Sequence, residues 1–321
     1  MKLLKKILKI ALPILLGVFL VWYSLSKVPL STILEYWQNA DKKWVVIGVC
    51  FGVLSHLSRA YRWPFMLEPL GYKIKFPNSF MAVMATYLIN YTIPRAGEVA
   101  RATILTNYEN VPFEKGFGTI VSERIADMLV MVLIIVIALF LQFDFIYQFF
   151  AERFNPTIIG IGLAALALAA LVFIRFIKTG KSKLAIKVKK FVNGLIEGAV
   201  SIFKMKQKWA FIFHTLFIWI MYLAMFYSAS LAIPGLEDVS LGAILIGFIS
   251  ASFSIAATNG GIGSFPAAVF AAFSIFGIAK DPSFAFGWIM WASQTLMIII
   301  LGGTSLLYLP IYNRKNKIAK E

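Results

Sequence analysis

PRAGEVAR, at residues 94–101, places three charged residues between long apolar segments of this chain. Two further charged clusters follow at residues 114–115 (EK) and 123–127 (ERIAD), and the last of them continues directly into the uncharged run MLVMVLIIVIALFL at residues 128–141. A charge at the depth of a lipid bilayer is costly unless it is paired or meets water or a charged ligand. The pattern therefore predicts a polar cavity inside a membrane protein.

The composition of the chain is typical of an integral membrane protein. Of 321 residues, 60% are hydrophobic and 14% are charged, and several apolar runs approach the ~20 residues that a helix needs to cross the hydrocarbon. Strand-type alternation is absent, so the spanning segments are predicted to be helical, because a helix satisfies its own backbone polar groups. We expect an all-α polytopic fold in which residues 1–321 form one transmembrane domain without a soluble catalytic domain.

The net charge of +16 is better explained by membrane topology than by a nucleic-acid partner. The basic residues cluster at helix ends and in loops, which is the bias that fixes membrane orientation. We therefore expect no binding of nucleic acid. The single cysteine, Cys50, excludes a disulfide or a cysteine-based metal site within one chain. His56 and His214 are distant and lack metal-ligand spacing, so we expect no metal and no cofactor.

Apolar runs predict the membrane segments, and basic loops predict their orientation. The runs lie near residues 7–26, 44–63, 77–93, 119–141, 157–177, 209–233, 241–258, 263–278 and 284–308. Lys and Arg concentrate in the N-terminus, in segments 59–76 and 178–208, and after residue 310, so these regions and both termini are expected on the cytoplasmic side of a cell inner membrane. Segment 178–208 is either a basic amphipathic helix on the membrane surface or a topology signal alone.

Two regions do not fit a simple alternation of crossings. Segment 77–106 is predicted to be a re-entrant hairpin from the cytoplasmic side, because Pro94 lacks an amide donor and disfavours helix at Ile93. Segment 241–278 is predicted to be a hairpin on the outer side or two short crossings, interrupted by glycines after Asn259. Broken helices at membrane depth persist where they are buried or line a cavity, and paired breaks indicate a transporter's midplane site. We predict about six full spans plus these two hairpins.

The first break carries an unbalanced charged group. Arg95, Glu98 and Arg101 are spaced i, i+3 and i+6, which places neighbours on roughly one face of a helix. Glu98 can pair with either arginine, and the remaining positive charge suits bidentate capture of a phosphate. Asn90 adds a neutral hydrogen-bonding group. The alternative interpretation is that these charges form an interfacial salt-bridge network whose only role is to hold the hairpin in position.

Two other groups complete the candidate site. Glu123 and Asp127 lie i and i+4 on a predicted helix, with Arg124 adjacent and partly turned away. At the second break, the helix that begins near Ser264 can present free backbone amides to a phosphate, although packing and bending explain its glycines equally well. The candidate substrate-binding residues of this break are Asn259, Gly260, Gly261, Gly263 and Ser264.

Three ordered motifs resemble those of a known family: NYTIPRAGEVAR at residues 90–101, SERIAD at residues 122–127 and TNGGIGSF at residues 258–265. Together they resemble the lysylphosphatidylglycerol synthase transmembrane region, a flippase-like family also called uncharacterised protein family 0104, over nearly the whole chain. Its members include the membrane half of the multiple peptide resistance factor, which moves aminoacylated phosphatidylglycerol between leaflets. That factor carries a soluble synthase domain after its membrane region, whereas this chain ends at Glu321, so we expect transport without aminoacyl transfer.

Charges and resemblance together lead us to expect a lipid flippase or scramblase and not an enzyme. An anionic phospholipid or a polyprenyl-phosphate-linked lipid would place its headgroup between the two hairpins. Arg95 and Arg101 would bind the phosphate and Glu98 would orient them. The group Glu123, Arg124 and Asp127 would form the opposing wall and carry coupling protons. No nucleotide-binding motif is present, so movement would be passive or driven by an ion gradient or the membrane potential.

Two other functions stay open at this point. A membrane glycosyl- or phospho-transferase acting on a polyprenyl phosphate could use Glu123 and Asp127 to hold a divalent cation, although no DxD or DDxxD spacing appears. A non-catalytic scaffold of a glycolipid synthesis pathway would instead show a stable partner and no activity alone. The sequence also leaves homo-oligomerisation open.

Overall fold

The computed structural model describes most of the membrane-embedded chain. The described residues are 15, 17–93, 95–143, 147–148, 156–179, 182, 186, 188–189, 205–258 and 260–314. The chain divides into two compact units, which are considered separately: residues 1–121 with 206–321 form the first, and residues 122–205 form the second. Pro94, Asn259 and most of the predicted amphipathic segment 178–208 lie outside the described residues.

Regular structure in the described residues is helical throughout, and the order of helices follows the apolar runs closely. The helices are α1 Gly17–Lys27, α2 Leu30–Asn39, α3 Lys42–Arg62, α4 Pro64–Leu67, α5 Phe76–Thr92, α6 Ala96–Glu109, α7 Phe113–Leu141, α8 Pro156–Thr179, α9 Lys208–Leu231, α10 Leu241–Ala257, α11 Ser264–Ile275 and α12 Lys280–Tyr312. A short 3-10 turn at Glu68–Leu70 follows α4.

Among the described residues, four helical segments are long and apolar enough to cross a membrane. They are Lys42–Leu70, Phe113–Leu141, Lys208–Leu231 and Lys280–Tyr312. The bent pair α1–α2 makes a fifth if it is one broken span. Helix α8 has 24 residues and coincides with the predicted segment 157–177. The all-α, polytopic membrane fold is therefore confirmed.

The N-terminal region differs from the single straight span that was predicted for residues 7–26. Helix α1 continues to Lys27, and after a bend of 73° the chain forms a second helix, α2, that the apolar pattern did not indicate. The bend has a local cause, because Pro29 precedes α2 in an extended conformation (φ −59°, ψ 149°) and a proline disfavours helix at the residue before it. Helix α2 buries Ile33 and exposes Glu35 and Gln38, so it is amphipathic.

Helix α3 coincides closely with the predicted span 44–63. The count of loop charges had also assigned Arg59 and Arg62 to a cytoplasmic segment at residues 59–76, but both are buried on the last turns of α3. The helix begins at Asp41, whose carboxylate accepts a hydrogen bond from the Lys43 backbone N–H at 3.0 Å, as an N-cap does. Pro64, at the first position of α4, marks the boundary between α3 and the short helices that continue this segment to Leu70.

The first predicted break lies between α5 and α6, which pack against each other in the first unit. The chain leaves α5 through Ile93 in an extended conformation (φ −129°, ψ 113°). It enters α6 through Arg95, which has a left-handed backbone at φ +61°. An L-residue in this region is uncommon, so the break is sharp. The helix-breaking prediction for this position is confirmed.

The second predicted break separates α10 from α11, which also pack against each other. Helix α10 ends at Thr258 in an extended conformation, and Gly260, Gly261 and Gly263 all have positive φ. Glycine adopts such angles without steric penalty. The new helix begins at Ser264. Sequence therefore located both interruptions correctly.

Close helix packing fixes the first unit. Gly48 and Gly52 on α3 face α9, and a methyl group at Gly48 would lie 3.2 Å from the Met225 carbonyl oxygen. Small residues allow membrane helices to approach closely in this way. A second cluster joins α9 to the hairpin α10–α11 and to α12, since the ring of Phe226 lies 4.9 Å from that of Phe286.

Candidate functional site

The first break is held by one asparagine. The Asn90 side-chain oxygen accepts a hydrogen bond from the Gly97 backbone N–H at 2.8 Å. Its amide nitrogen donates to the two Glu98 carboxylate oxygens at 3.3 and 3.4 Å. A methyl group at Gly97 would lie only 2.2 Å from the Thr86 carbonyl oxygen, so the start of α6 presses directly on α5. The predicted residues Asn90 and Glu98 therefore belong to one local assembly.

The two arginines of the break occupy different environments. Arg95 precedes α6 and is exposed, whereas Arg101 is fully buried on α6. The sequence had placed them along roughly one helix face, but the left-handed backbone at Arg95 removes that residue from the helix. The Arg101 guanidinium stacks on Trp63 with 3.8 Å between its carbon and the ring centre, a strong cation–π geometry. The Trp63 indole N–H donates to the Thr119 hydroxyl at 2.9 Å.

Two further buried arginines lie shortly before Trp63 in the chain, and the sequence analysis missed their burial. Arg62 immediately precedes Trp63, donates to the Thr215 hydroxyl at 2.6 Å and lies 5.0 Å from the Phe211 ring centre. Arg59, one turn earlier on α3, is 3% exposed. Each has an interaction partner. Arg59 and Arg62 are spaced i, i+3 at the end of an apolar helix, as the charged residues of the first break are. This repeated spacing could have indicated their burial, but both residues were counted as charges of a loop.

The second break contains a compact group of hydroxyls. Ser264 accepts a hydrogen bond from Ser254 at 2.7 Å, and its oxygen lies 2.9 Å from that of Thr258. The Thr258 hydroxyl also accepts from the Gly261 backbone N–H at 3.1 Å. These bonds tie the end of α10 to the start of α11 across the glycines. The predicted residues Gly261 and Ser264 are thus brought together with two hydroxyls that were not predicted.

The two breaks touch each other within the first unit. A methyl group built on Gly260 would lie 2.5 Å from the ring of Tyr91, the residue next to Asn90. The Gly260 carbonyl accepts a hydrogen bond from the Trp291 indole at 2.7 Å, and the Thr295 hydroxyl donates to the Tyr91 hydroxyl at 3.2 Å. Helix α12 therefore holds both interruptions in one place. Gly260 permits this approach because it has no side chain.

The acidic group lies on α7 in the second unit. Glu123 is fully buried and Asp127 is buried one turn later, while Arg124 is exposed. This arrangement agrees with the expected i, i+4 pair and with an arginine turned away from it. Each of the three has an interaction partner. Buried carboxylates on an apolar helix indicate a functional site in a membrane protein.

The two histidines lie on α3 and α9. His214 Nδ1 is 2.8 Å from the Ser58 hydroxyl oxygen. His56 is buried, with its ring centre 4.6 Å from that of Tyr87 and its Nδ1 without a hydrogen-bond partner. In the part of the chain that the structure describes, no three histidine, cysteine or acidic side chains are grouped so as to hold a metal ion.

These features define a polytopic helical membrane protein with two interrupted hairpins and buried charges. The chain belongs to the family described as the lysylphosphatidylglycerol synthase TM region, whose model matches residues 10–302. The resemblance that the three motifs carried is therefore confirmed.

Relatives of this chain match over limited segments. The UPF0104 membrane protein MJ1595 of Methanocaldococcus jannaschii is 27% identical over 125 residues, which are 38% of this chain and 37% of that protein. The UPF0104 membrane protein PH1989 of Pyrococcus horikoshii is 22% identical over 186 residues, or 57% and 52% of the two chains. Glycosyltransferase AglD of Haloferax volcanii is 29% identical over 100 residues, or 31% of this chain and 16% of its own length. No solved structure matches this chain.

Proposed function

We propose that this protein is a flippase or scramblase that moves an anionic phospholipid or a polyprenyl-phosphate-linked lipid between membrane leaflets. The observation that carries the proposal is the contact between the two breaks, where Tyr91 meets Gly260. Paired helix interruptions at membrane depth are the usual construction of a transporter's substrate site. The family, the apolar helices and the buried charges support the same reading.

The headgroup would be held by arginine side chains. Arg101 and Arg62 are fully buried in the first unit, and Arg95 is exposed at the break. A guanidinium offers several N–H donors in a planar fork that matches a phosphate. A stacked arginine such as Arg101 is also fixed in orientation by Trp63, so little side-chain freedom is lost on binding. Exposed Arg95 would contact the headgroup first. The buried arginines would then compensate the negative charge of the headgroup.

The second unit carries two buried carboxyl groups, those of Glu123 and Asp127 on α7. We propose that these side chains carry the coupling protons of transport, since ionisable residues within a membrane commonly form proton relays. The lipid's hydrocarbon chains would stay in apolar surroundings throughout. We further propose an inner-membrane location with both termini in the cytoplasm.

The test is lipid translocation in proteoliposomes. The initial rate of movement of a fluorescent anionic lipid is compared for wild type, Arg101→Ala and Arg314→Ala. Arg314 is an exposed arginine two residues after the end of α12 and serves as the matched control. We expect Arg101→Ala to lose at least about tenfold in rate, because a charge-assisted hydrogen bond contributes roughly 1.5–3 kcal/mol, and Arg314→Ala to match wild type. Equal rates for all three proteins would refute the assigned site.

One comparison favours a second candidate function. The relative named as a glycosyltransferase aligns with this chain over a short segment, which supports a membrane transferase acting on a polyprenyl-phosphate lipid. Purified protein that consumes a lipid-linked sugar only when a divalent cation is present would establish that function. Translocation without such turnover would establish transport.

A further inference from the structure

A large apolar cavity lies beside the two breaks in the first unit. It is an open groove of about 770 Å³ lined by α1, α2, α3 and α12, and its lining residues Leu34, Trp37 and Leu296 are exposed. Its lining includes the side chains of Val21, Trp37, Val49, Trp288, Ala292 and Leu296. Ser293 is the one polar residue type among those that line it. The cavity is thus distinct from the arginines and hydroxyls of the candidate site.

The size and lining of the groove are those of a ligand site. Such sites are typically clefts of about 300–1,000 Å³ that are mostly apolar with a few polar groups. Water gains too few hydrogen bonds in such a lining to fill it. In a membrane, the apolar groups available to occupy it are the hydrocarbon chains of lipids. The cavity therefore fits a lipid chain by both size and chemistry.

Contacts join this cavity to both helix breaks. At the second break, a methyl group on Gly263 would lie 2.4 Å from the backbone nitrogen of Val21, a cavity-lining residue of α1. Trp288 lines the cavity, and its ring contacts that of Trp291, which donates to Gly260. At the first break, Tyr91 packs into the same cluster as the cavity-lining residues Val49, Val53 and Leu301. The cavity thus adjoins the two helix breaks, where the lipid headgroup is proposed to bind.

Helix α2 closes part of the cavity. The bend at Pro29 turns α2 away from the line of α1, and its residues Ile33, Leu34 and Trp37 face the cavity. Its opposite side carries the exposed polar residues Glu35 and Gln38. An amphipathic helix of this kind lies in the membrane interface. Helix α2 therefore forms one wall of the cavity, which is open to the surrounding lipid beside Leu296 and Ile300 of α12.

We infer that this cavity binds one hydrocarbon chain of the same anionic lipid whose headgroup lies at the two breaks. The inference rests on the proposed function and adds a tail site to it. Each buried methylene contributes about 0.8 kcal/mol, so a chain of several carbons in the cavity would hold the lipid while its headgroup enters the break. The second chain of a two-chain lipid would stay in the bilayer.

The first measurement is photo-crosslinking of the wild-type protein in proteoliposomes. One probe is an anionic phospholipid with a diazirine in its chain, and the other is a diacylglycerol with the same labelled chain and no headgroup charge. Peptides that acquire label are identified by mass spectrometry. We expect the anionic probe to label cavity residues of α2, α3 and α12 well beyond its share of the lipid. Labelling by both probes in proportion to their abundance would mean ordinary bulk lipid and would overturn the inference.

The second measurement fills the cavity. Ala292→Trp projects a large side chain into the open space, and Leu307→Trp places the same side chain on an exposed position of α12 outside the cavity. We expect Ala292→Trp to reduce cavity labelling and anionic-lipid translocation by at least about tenfold, the effect of losing roughly two buried methylenes. Leu307→Trp should match wild type. If Ala292→Trp does not yield folded protein by size-exclusion chromatography, Ala292→Phe is used in its place.

The outcomes separate the two proposals. Translocation that persists in Ala292→Trp, without cavity labelling in wild type, would overturn the tail site and leave the transport proposal standing. Selective cavity labelling in a protein that moves no lipid would uphold the tail site and overturn transport.

Discussion

Arg101 shows how this protein keeps a charge inside an apolar molecule. Its guanidinium carbon lies over the Trp63 ring, and the Trp63 indole N–H donates a hydrogen bond to Thr119. Removing one partner of a buried charge is usually more costly than the pair is worth, because the remaining charge is left uncompensated. Trp63 is therefore a positioning residue for Arg101.

Substitutions at Trp63 separate the two interactions of its indole. Trp63→Phe keeps a ring under Arg101 and loses the hydrogen bond to Thr119, which costs about 1 kcal/mol. Trp63→Leu also loses the cation–π contact, worth roughly a further 0.5–2 kcal/mol. We expect the apparent melting temperature in detergent to fall in the order wild type, Trp63→Phe, Trp63→Leu. Equal melting temperatures for the two variants would show that the stacking contributes nothing.

The close contact at Gly97 predicts that an added methyl group destabilises the protein. Gly97→Ala forces a methyl group against the Thr86 carbonyl oxygen, and overpacking of this kind costs about 1–3 kcal/mol. Gly303, inside α12, has open space around it. There Gly303→Ala should be neutral or stabilising by about 0.5–1 kcal/mol, since alanine favours helix. Thermal unfolding of the two variants in parallel checks this, and a Gly97→Ala protein as stable as Gly303→Ala would contradict the close contact of α5 and α6.

At the scale of elements, the sequence predicted the interruptions well because proline and glycine act locally. Pro94, Gly260, Gly261 and Gly263 restrict or release the backbone whatever surrounds them. Most long apolar helices were also found, since the length of a span follows from bilayer thickness. The motifs around Asn90 and Ser264 were correctly placed at the ends of these helices.

Tertiary contacts explain what the sequence could not predict. Arg59 and Arg62 match the basic bias of a cytoplasmic loop, and only the packing of α3 against α9 shows that they are buried. Helix α2 is short and of mixed polarity, so it contains no apolar run from which it could be predicted. The meeting of Tyr91 with Gly260 joins residues far apart in the chain, and no local pattern encodes such a contact.

The contact between the breaks predicts a change in local stability. Trp291→Phe removes the hydrogen bond to the Gly260 carbonyl, a loss of about 1 kcal/mol. We expect backbone amides of the second break to exchange hydrogen for deuterium about fivefold faster, because exchange follows local opening. Trp209→Phe, at an exposed position near the start of α9, is the control and should not change them. Unchanged exchange in Trp291→Phe would mean that α12 does not hold the break.

The whole molecule predicts a definite membrane orientation. Both termini are expected in the cytoplasm, so α2, which follows the first crossing, should face the outer side. Single cysteines at Ser31 on α2 and at Arg314, each in a Cys50→Ser background, report this with a membrane-impermeant maleimide. Intact cells should label Ser31→Cys, and only lysed cells should label Arg314→Cys. The reverse pattern would invert the topology and the direction from which the headgroup enters.

Charge and apolar surface divide the work of the molecule as a whole. In the proposed function, the buried arginines and the hydroxyl-lined break would bind an anionic headgroup, and the adjacent apolar cavity would bind one of its chains. Such a division predicts discrimination between lipids by headgroup charge, because an anionic headgroup brings the buried arginines a net negative charge that a zwitterionic headgroup lacks.

The most direct measurement is the initial rate of lipid translocation in proteoliposomes for two lipids with identical chains, one anionic and one zwitterionic. Protein-containing vesicles should move the anionic lipid at least about tenfold faster than the zwitterionic lipid, which corresponds to roughly 1.4 kcal/mol of selectivity. They should also exceed protein-free vesicles. Rates equal to those of protein-free vesicles for both lipids would contradict the account.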